Sequence, residues 1–441
     1  MTLSRESTKK ITAPNYLGSK LRMINDILPI ILRETEKHSI VCDLFSGSGS
    51  VTAALSDYRS VISVDIQNYS NDFINGFSSP LLELNSQELI EAVDDRFKSL
   101  SELVVDLLRY EESLIANSEN VFELANLIEN ASFIRYSRGG FFSKSKKLDS
   151  LMLNTIDSLK ENGVKPEDLV ATWNFGGIYF SFKQTLFIDS LLYVIKEKDL
   201  QNIKSTVLSL ACTLVNTVGK QFAQPLSPWD KNGEPKKSLF KKVSSDRTID
   251  AKNAYLRILE VYLNQEPSTY HVESWCMDFK QALENLPDSV SMIYADPPYT
   301  RDHYSRFYHV LETLSLGDIP EISTVKVKDK ISLSKGLYRK DRHQSAFCIK
   351  SQAPKAFDDL FRIASEKGAK VLLSYSPFEN EEHPRVMKVD DIIEIAGQYF
   401  DDLEITTITS FKHNKLNSNT NKLTRSLPGE LLLLFKNSQY S

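Results

Sequence analysis

Residues 40–49, Ile40-Val41-Cys42-Asp43-Leu44-Phe45-Ser46-Gly47-Ser48-Gly49, are an apolar run closed by a glycine-rich turn. Short apolar runs bounded by turn formers read as buried strands, here Ile40–Phe45. Upstream, Met23, Ile24, Ile27, Leu28, Ile31 and Leu32 repeat at helical spacing and lead into that strand. Downstream, Val51–Leu55 reads as a short helix and Val61–Ile66 as a second strand. Helix, strand, glycine turn, helix and strand form the opening of an α/β sheet.

The same texture returns near His271. Strands are expected at Ser291–Ala295, Val371–Tyr375, Leu403–Ile408 and Glu430–Phe435, with helical segments between them. Apolar strands alternating with helices predict a mostly parallel sheet covered on both faces. Between Gln67 and Pro267 the sequence differs in kind. Leu81–Tyr110 and Val121–Ile128 read as helices, followed by the glycine- and aromatic-rich pieces Tyr136–Phe142 and Trp173–Phe182. Gly219–Arg247 is polar, basic and proline-containing, and reads as a long surface loop or arm. The expected division is a catalytic α/β domain at 1–70 and 268–441, with an α-rich recognition domain at 71–267 inserted into it.

The chain has 441 residues, 41% hydrophobic and 25% charged, the composition of a folded protein. No stretch approaches the roughly 20 apolar residues that cross a bilayer. The opening residues lack the apolar core of a signal peptide, so a cytoplasmic protein is expected. Cys42, Cys212, Cys276 and Cys348 are scattered without zinc-type spacing and read as small buried hydrophobes. A net charge of −5 argues against indiscriminate coating of nucleic acid but permits a local basic groove.

The strongest chemical signal follows the strand Ser291–Ala295: Asp296-Pro297-Pro298-Tyr299. A carboxylate at the carboxyl end of a parallel strand lies in the crevice where such sheets bind ligands. Consecutive prolines remove two backbone donors and leave carbonyl oxygens free to accept. A carboxylate oxygen beside a carbonyl oxygen is a receptor for an NH2 group, and the tyrosine offers a face for stacking a planar base. Gly47 and Gly49 let backbone approach a ligand, and Asp65 ends the second strand where an acid grips ribose hydroxyls. The turn is neither a GxGxxG dinucleotide loop nor a P-loop.

Asn15-Tyr16-Leu17-Gly18-Ser19-Lys20, then Asp43-Leu44-Phe45-Ser46-Gly47-Ser48-Gly49, then Asp296-Pro297-Pro298-Tyr299, in that order, resembles the Dam-like (D12 class) DNA adenine N6-methyltransferases of the alpha arrangement. The resemblance implies a seven-stranded Rossmann-like sheet, S-adenosyl-L-methionine as cofactor, and duplex DNA as partner, read by the region between the glycine turn and Asp296. It implies that Tyr16 and Lys20 sit at the methionine end of the cofactor. Asp43, Phe45, Gly47 and Gly49 would belong to its loop, Asp65 would hold its ribose, and Asp278-Phe279 would contact its adenine ring. Asp296, Pro297, Pro298 and Tyr299 would bind the target amine. A cognate restriction endonuclease or another defence-system protein is the further partner this family suggests.

Two features depart from compact relatives. Gly49 and Asp296 are about 250 residues apart, so no recognition residues carry over. Thr300–Leu314 is dense in Arg, His and Tyr; it reads either as a pocket wall or phosphate contact, or as a helix packing Phe307, Val310, Leu311 and Leu314 inward. His303 and His309 have no carboxylate cluster beside them, so no metal is expected. Lys236, Lys237, Lys241, Lys242 and Arg247 are the expected DNA contacts, with Lys144, Lys146 and Lys147 next, interleaved with Phe141, Phe142, Trp229 and Phe240. The same NH2 receptor also suits cytosine N4, an RNA adenine or a glutamine side chain. A catalytically silent nucleic-acid-binding protein of this fold is the alternative of a different class.

Overall fold

The computed structural model describes residues 20–438 apart from 80, 82–83, 118, 218–221, 299–303, 328–329, 378–384 and 409–429. Among the described residues the strands are β1 (Ile40–Leu44), β2 (Ser60–Asp65), β3 (Val272–Cys276), β4 (Val290–Ala295), β5 (Thr324–Val327), β6 (Lys330–Leu333), β7 (Lys370–Tyr375), β8 (Asp402–Ile408) and β9 (Glu430–Lys436). Seven form one sheet in the order β3-β2-β1-β4-β7-β9-β8, and β5 and β6 make a separate antiparallel hairpin. The sheet is parallel except for β9, which runs against both β7 and β8.

The topology places the site. From β1 the chain moves outward to β2 and β3, then returns to β4 on the other side of β1. Loops after β1 and β4 therefore diverge, which opens a crevice at the carboxyl ends of those strands. Alternate residues of each strand feed opposite layers. Cys42, Leu44, Ile62, Ile293 and Ala295 pack with Leu360 and Phe361 of the helix Ala353–Glu366. Val41, Val61, Met292 and Tyr294 pack with Ile27, Leu28 and Ile31 of the helix Ile24–Glu34. Each fully buried aliphatic side chain contributes roughly 1.5–3 kcal/mol, so strands apolar on both faces are the stable choice for a covered sheet.

The helical insertion is the crossover between β2 and β3, two adjacent parallel strands. Its helices, including Ser86–Leu103, Val105–Ala116, Lys146–Glu161, Phe182–Glu197 and Lys204–Leu214, share one apolar core. That core extends beyond the insertion: Phe307, Tyr308, Val310, Leu311, Leu314, Ile322 and Leu337 join it. The inward-packing alternative for the segment after Asp296 thus holds for Phe307, Val310, Leu311 and Leu314, while Ser305 lines a pocket at the strand ends and 300–303 lie outside the described residues. Glu312 ties the two halves together. Its carboxylate accepts from Asn68 N (3.2 Å), Asn68 Nδ2 (2.7 Å) and Tyr69 N (3.2 Å), capping the helix that follows β2.

Three expectations need correction. β3 was not foreseen because its residues Val-Glu-Ser-Trp-Cys are those of a half-exposed edge strand and not an apolar run. The end of the basic arm is not a loop: Lys237–Arg247 is a helix that buries Leu239, Val243, Asp246 and Arg247. Cys42, Cys212 and Cys348 are buried as expected, but Cys276 on edge strand β3 is exposed; none of the four is in a disulfide. Among the described residues no helix is long and apolar enough to cross a membrane.

Candidate active site

A pocket opens at the carboxyl ends of β1, β2 and β4, lined among others by Lys20, Asp43, Phe45, Gly47, Asp65, Asp278, Phe279, Asp296, Pro297 and Pro298. The three sequence motifs converge there although about 250 residues separate the third from the other two. Tyr16 and Tyr299 lie outside the described residues.

The turn after β1 carries the shape of the pocket. Phe45, Gly47 and Gly49 all have positive φ (70°, 54° and 74°), and a phenylalanine in that region is strained backbone held by its surroundings. Phe45 forms an aromatic wall with Phe279 (ring centroids 6.0 Å) and Phe347 (5.2 Å), and the last two are 4.9 Å apart. Gly49 is placed differently from expectation. A Cβ there would meet Phe77 at 2.8 Å and Ile74 at 2.9 Å, so this glycine serves packing on the helix Asn68–Ser78. It is not among the residues lining the pocket.

The carboxylates have distinct duties. Asp43 Oδ2 accepts from Thr52 N (2.9 Å) and Thr52 Oγ1 (2.5 Å), pinning the helix Ser50–Leu55 to β1. Burial pushes its carboxyl up to about 7 against those bonds, and the nearby Asp296 and Asp65 carboxylates add to the rise. Asp65 accepts from Gly47 N and Gln67 N, each at 2.9 Å, one per oxygen. The Ile66 amide also acts on this carboxylate, and an ionised carboxylate offers about four acceptor positions, so it retains capacity for a hydroxyl group. Burial raises Asp65 to about 6, opposed by these backbone donors. Asp278 Oδ1 accepts from Lys280 N (2.9 Å), capping the helix that begins at Phe279.

Lys20 stands between two carboxylates. Its Nζ is 3.1 Å from Asp296 Oδ1 and 2.9 Å from Glu430 Oε1, and Glu430 Oε1 also accepts from Ser374 Oγ at 2.9 Å. Burial raises the Asp296 carboxyl, Lys20 opposes the rise, and Glu430 adds to it. The ammonium thus favours the ionised, acceptor-only form of Asp296 while engaging only one of its oxygens. The Cys348 thiol points at the Pro298 carbonyl (3.8 Å).

Glu430, Phe347, Cys348 and the pocket-lining segment His343–Ser345 were not found by sequence reasoning. Glu430 left one faint signal: it is an acid heading a strand of five consecutive apolar residues. The others sit in a connection without motif character.

Residues 16–145 and 231–392 match the D12 class N6 adenine-specific DNA methyltransferase family. This chain belongs to that family. It is 25% identical over 415 residues to the type II methyltransferase M.NlaIII of Neisseria lactamica, covering 92% of this chain and 95% of that one. It is 23% identical over 429 residues to the modification methylase LlaI of Lactococcus lactis subsp. lactis and 24% identical over 367 residues to the type II methyltransferase M.FokI of Planomicrobium okeanokoites. These alignments take in 96% and 82% of this chain but only 54% and 44% of the two relatives, so the chain spans about half their length.

The basic residues of this D12 member divide sharply. Lys237 and Lys241 are exposed on their helix. Lys236 Nζ donates to Ser227 O (3.0 Å), and Lys242 pairs with Asp246 (2.5 Å). Arg247 is withdrawn from the DNA-facing set. Its side chain has no solvent exposure, and its guanidinium binds Glu111 (2.8 Å), Gly177 O (2.7 Å) and Asn216 Oδ1 (3.1 Å) inside the helical core. His309 is likewise enclosed, against Tyr179 OH (3.2 Å); burial pushes its imidazole down to about 3, so it is neutral. Among the described residues no group of three or more His, Cys, Asp or Glu side chains is placed to hold a metal ion.

Proposed function

We propose that the chain transfers a methyl group from S-adenosyl-L-methionine to the exocyclic N6 of an adenine turned out of duplex DNA. The observation that carries this is the Asp296 carboxylate at the end of β4, ion-paired to Lys20 on one oxygen and opening on the same pocket as Asp65 and the Phe45–Phe279–Phe347 wall. The residues fit the cofactor. The aromatic wall suits a purine ring, the remaining acceptor capacity of Asp65 suits a ribose hydroxyl, and Gly47 keeps its side of the turn open. When bound, S-adenosyl-L-methionine supplies an electrophilic methyl on a sulfonium.

The amine of adenine is a weak nucleophile because its lone pair is delocalised into the ring. Asp296 and the Pro297 carbonyl, accepting its two hydrogens, localise that pair on nitrogen as the new N–C bond forms. Acceptors already in place act more strongly on the transition state than on the ground state. Lys20 holds Asp296 ionised for this purpose, and the methylated amine then loses one proton. Extruding the base costs roughly a few kcal/mol of stacking and pairing. Lys236, Lys237, Lys241 and Lys242 are proposed to meet backbone phosphates, which position the duplex without reading it.

Expression in a methylation-free host, followed by digestion to nucleosides and mapping of modified positions, tests the reading. N6-methyladenine at one recurring sequence is expected. N4-methylcytosine, methylated RNA or no modification would overturn it.

A further inference from the structure

Arg135, Arg306 and Arg342, outside the pocket, make no ion pair with a carboxylate among the described residues. Their position is informative. Ser305 and His343 line the pocket, and Arg306 and Arg342 are their immediate chain neighbours, one from each segment. Both guanidiniums lie over one ring, Tyr338, at 5.8 and 5.0 Å from its centroid. Two like charges are thereby gathered at the rim of one site. Burial lowers the proton affinity of Arg342, Tyr338 and Asp341 oppose the change, and the neighbouring Arg306 charge adds to it.

The Nε of Arg306 and that of Arg342 are enclosed without a protein hydrogen-bond partner, and so is that of Arg135. Arg342 makes one long bond, Nη2 to Ser323 Oγ at 3.4 Å. Asp341 attracts Arg342 but is itself ion-paired to Arg339 (2.8 Å). Folding brings cations together without neutralising them only at a cost in repulsion and unsatisfied donors. An external anion removes both costs.

The surroundings continue in the same sense. Arg135 Nη2 donates to Lys335 O (3.2 Å), and Tyr338 OH donates to Ala223 O. Lys335 Nζ reaches Ser227 Oγ (3.5 Å), and the Ser227 carbonyl takes Lys236 (3.0 Å). The segments 223–227 and 335–338 thus lie between the pocket rim and the lysine arm and touch both.

We infer that Arg306 and Arg342, stacked on Tyr338, form a phosphate clamp that grips the DNA backbone beside the extruded nucleotide, with Arg135 extending it toward the lysine arm. The inference rests on the duplex-DNA reading above. A nucleotide turned into the pocket leaves its flanking phosphodiester at the rim. Paired guanidiniums present fixed forks suited to phosphate oxygens, and a contact of this kind holds the backbone in its extruded path without reading sequence.

The test uses the full chain with duplexes that carry or lack the modified sequence, titrated over a range of salt. Arg306→Gln and Arg342→Gln should each weaken binding to both duplexes by about tenfold or more. Each should also make the slope of log affinity against log salt shallower by about 0.9, leaving cofactor affinity unchanged. Arg306→Lys and Arg342→Lys restore the charge and should restore the slope, which a merely structural role would not do. Unchanged slopes in folded, cofactor-binding Gln variants overturn the clamp while leaving the methyltransferase reading intact. Loss of cofactor affinity instead assigns these arginines to the cofactor and also overturns it. A wild-type chain that binds no duplex at any salt removes the reading and the clamp together.

Discussion

Lys20 and Arg247 are both cations drawn out of water into an ion pair, one at the carboxyl ends of the sheet's strands and one in the helical insertion. Arg247 is ion-paired to Glu111, the nearby Asp246 is itself paired to Lys242, and its remaining donors are met by Asn216 and backbone carbonyls. Its partners are all internal, and the arrangement is closed. Lys20 faces two carboxylates, and one of them, Asp296, keeps an oxygen for something else in an open pocket. A buried cation whose partners balance it is a structural rivet. A buried cation outnumbered by acids at a pocket is part of a site.

That contrast fixes the first and largest prediction. Arg247→Ala strands Glu111 inside an apolar core and should cost about 3–5 kcal/mol, read by urea unfolding. Replacing both partners with apolar residues, as in Arg247→Met with Glu111→Leu, should recover much of the loss, because no unpaired charge remains. If Arg247→Ala is as stable as wild type and instead lowers the salt slope of DNA binding, the residue is a DNA contact after all.

On the sheet side, Asp65→Ala removes the acceptor of two backbone amides and the proposed ribose contact. Cofactor affinity should fall by about 1.5–3 kcal/mol in calorimetric titration of the folded variant. Unchanged affinity would separate the glycine turn from the cofactor.

Asp43 sharpens the comparison through pH. Its carboxyl is raised to about 7, above the usual value of 3.8, because burial disfavours its charge. Between those two values the folded state holds a proton that the unfolded state has lost. This group therefore erodes stability as pH rises from about 4 to 7. Asp43→Asn keeps an acceptor for Thr52 N and removes the titration. Relative to wild type, the variant should gain ground steadily over that window. A constant difference from pH 4 to 7 would show that Asp43 is ionised throughout.

The smallest effect belongs to the exposed lysines. Lys237→Gln and Lys241→Gln should leave stability within about 0.5 kcal/mol and the methylated sequence unaltered. Each should make the salt slope shallower by about 0.9 if it meets a phosphate. An unchanged slope would leave these lysines as solvated surface.

The sequence was legible where a single segment carries its own signal. β1, β2, β4 and β7 are apolar runs, and the glycine turn and the Asp296-Pro297-Pro298 corner sit at strand ends, so both fold and motifs could be read in place. β3 escaped because an edge strand alternates polar residues. The helix Lys237–Arg247 escaped because two of its four inward positions, Asp246 and Arg247, are charged, which hides the apolar period. Gly49 was expected to let backbone approach a ligand, and only the fold shows that Phe77 and Ile74 are what it makes room for. Glu430 lies 410 residues from Lys20, and no local pattern announces a contact made across the whole chain.

The central claim is that Asp296 acts on the target amine and not on the cofactor. It is tested most directly by measuring cofactor affinity and single-turnover methylation of a duplex substrate for wild type, Asp296→Asn and Asp296→Ala. The account predicts N6-methyladenine as the wild-type product and unchanged cofactor affinity in all three. It predicts a rate loss of about 10²–10³-fold or more for Asp296→Ala, and an intermediate rate for Asp296→Asn, whose amide oxygen still accepts. An alanine variant that binds cofactor normally and methylates adenine at the wild-type rate would contradict it.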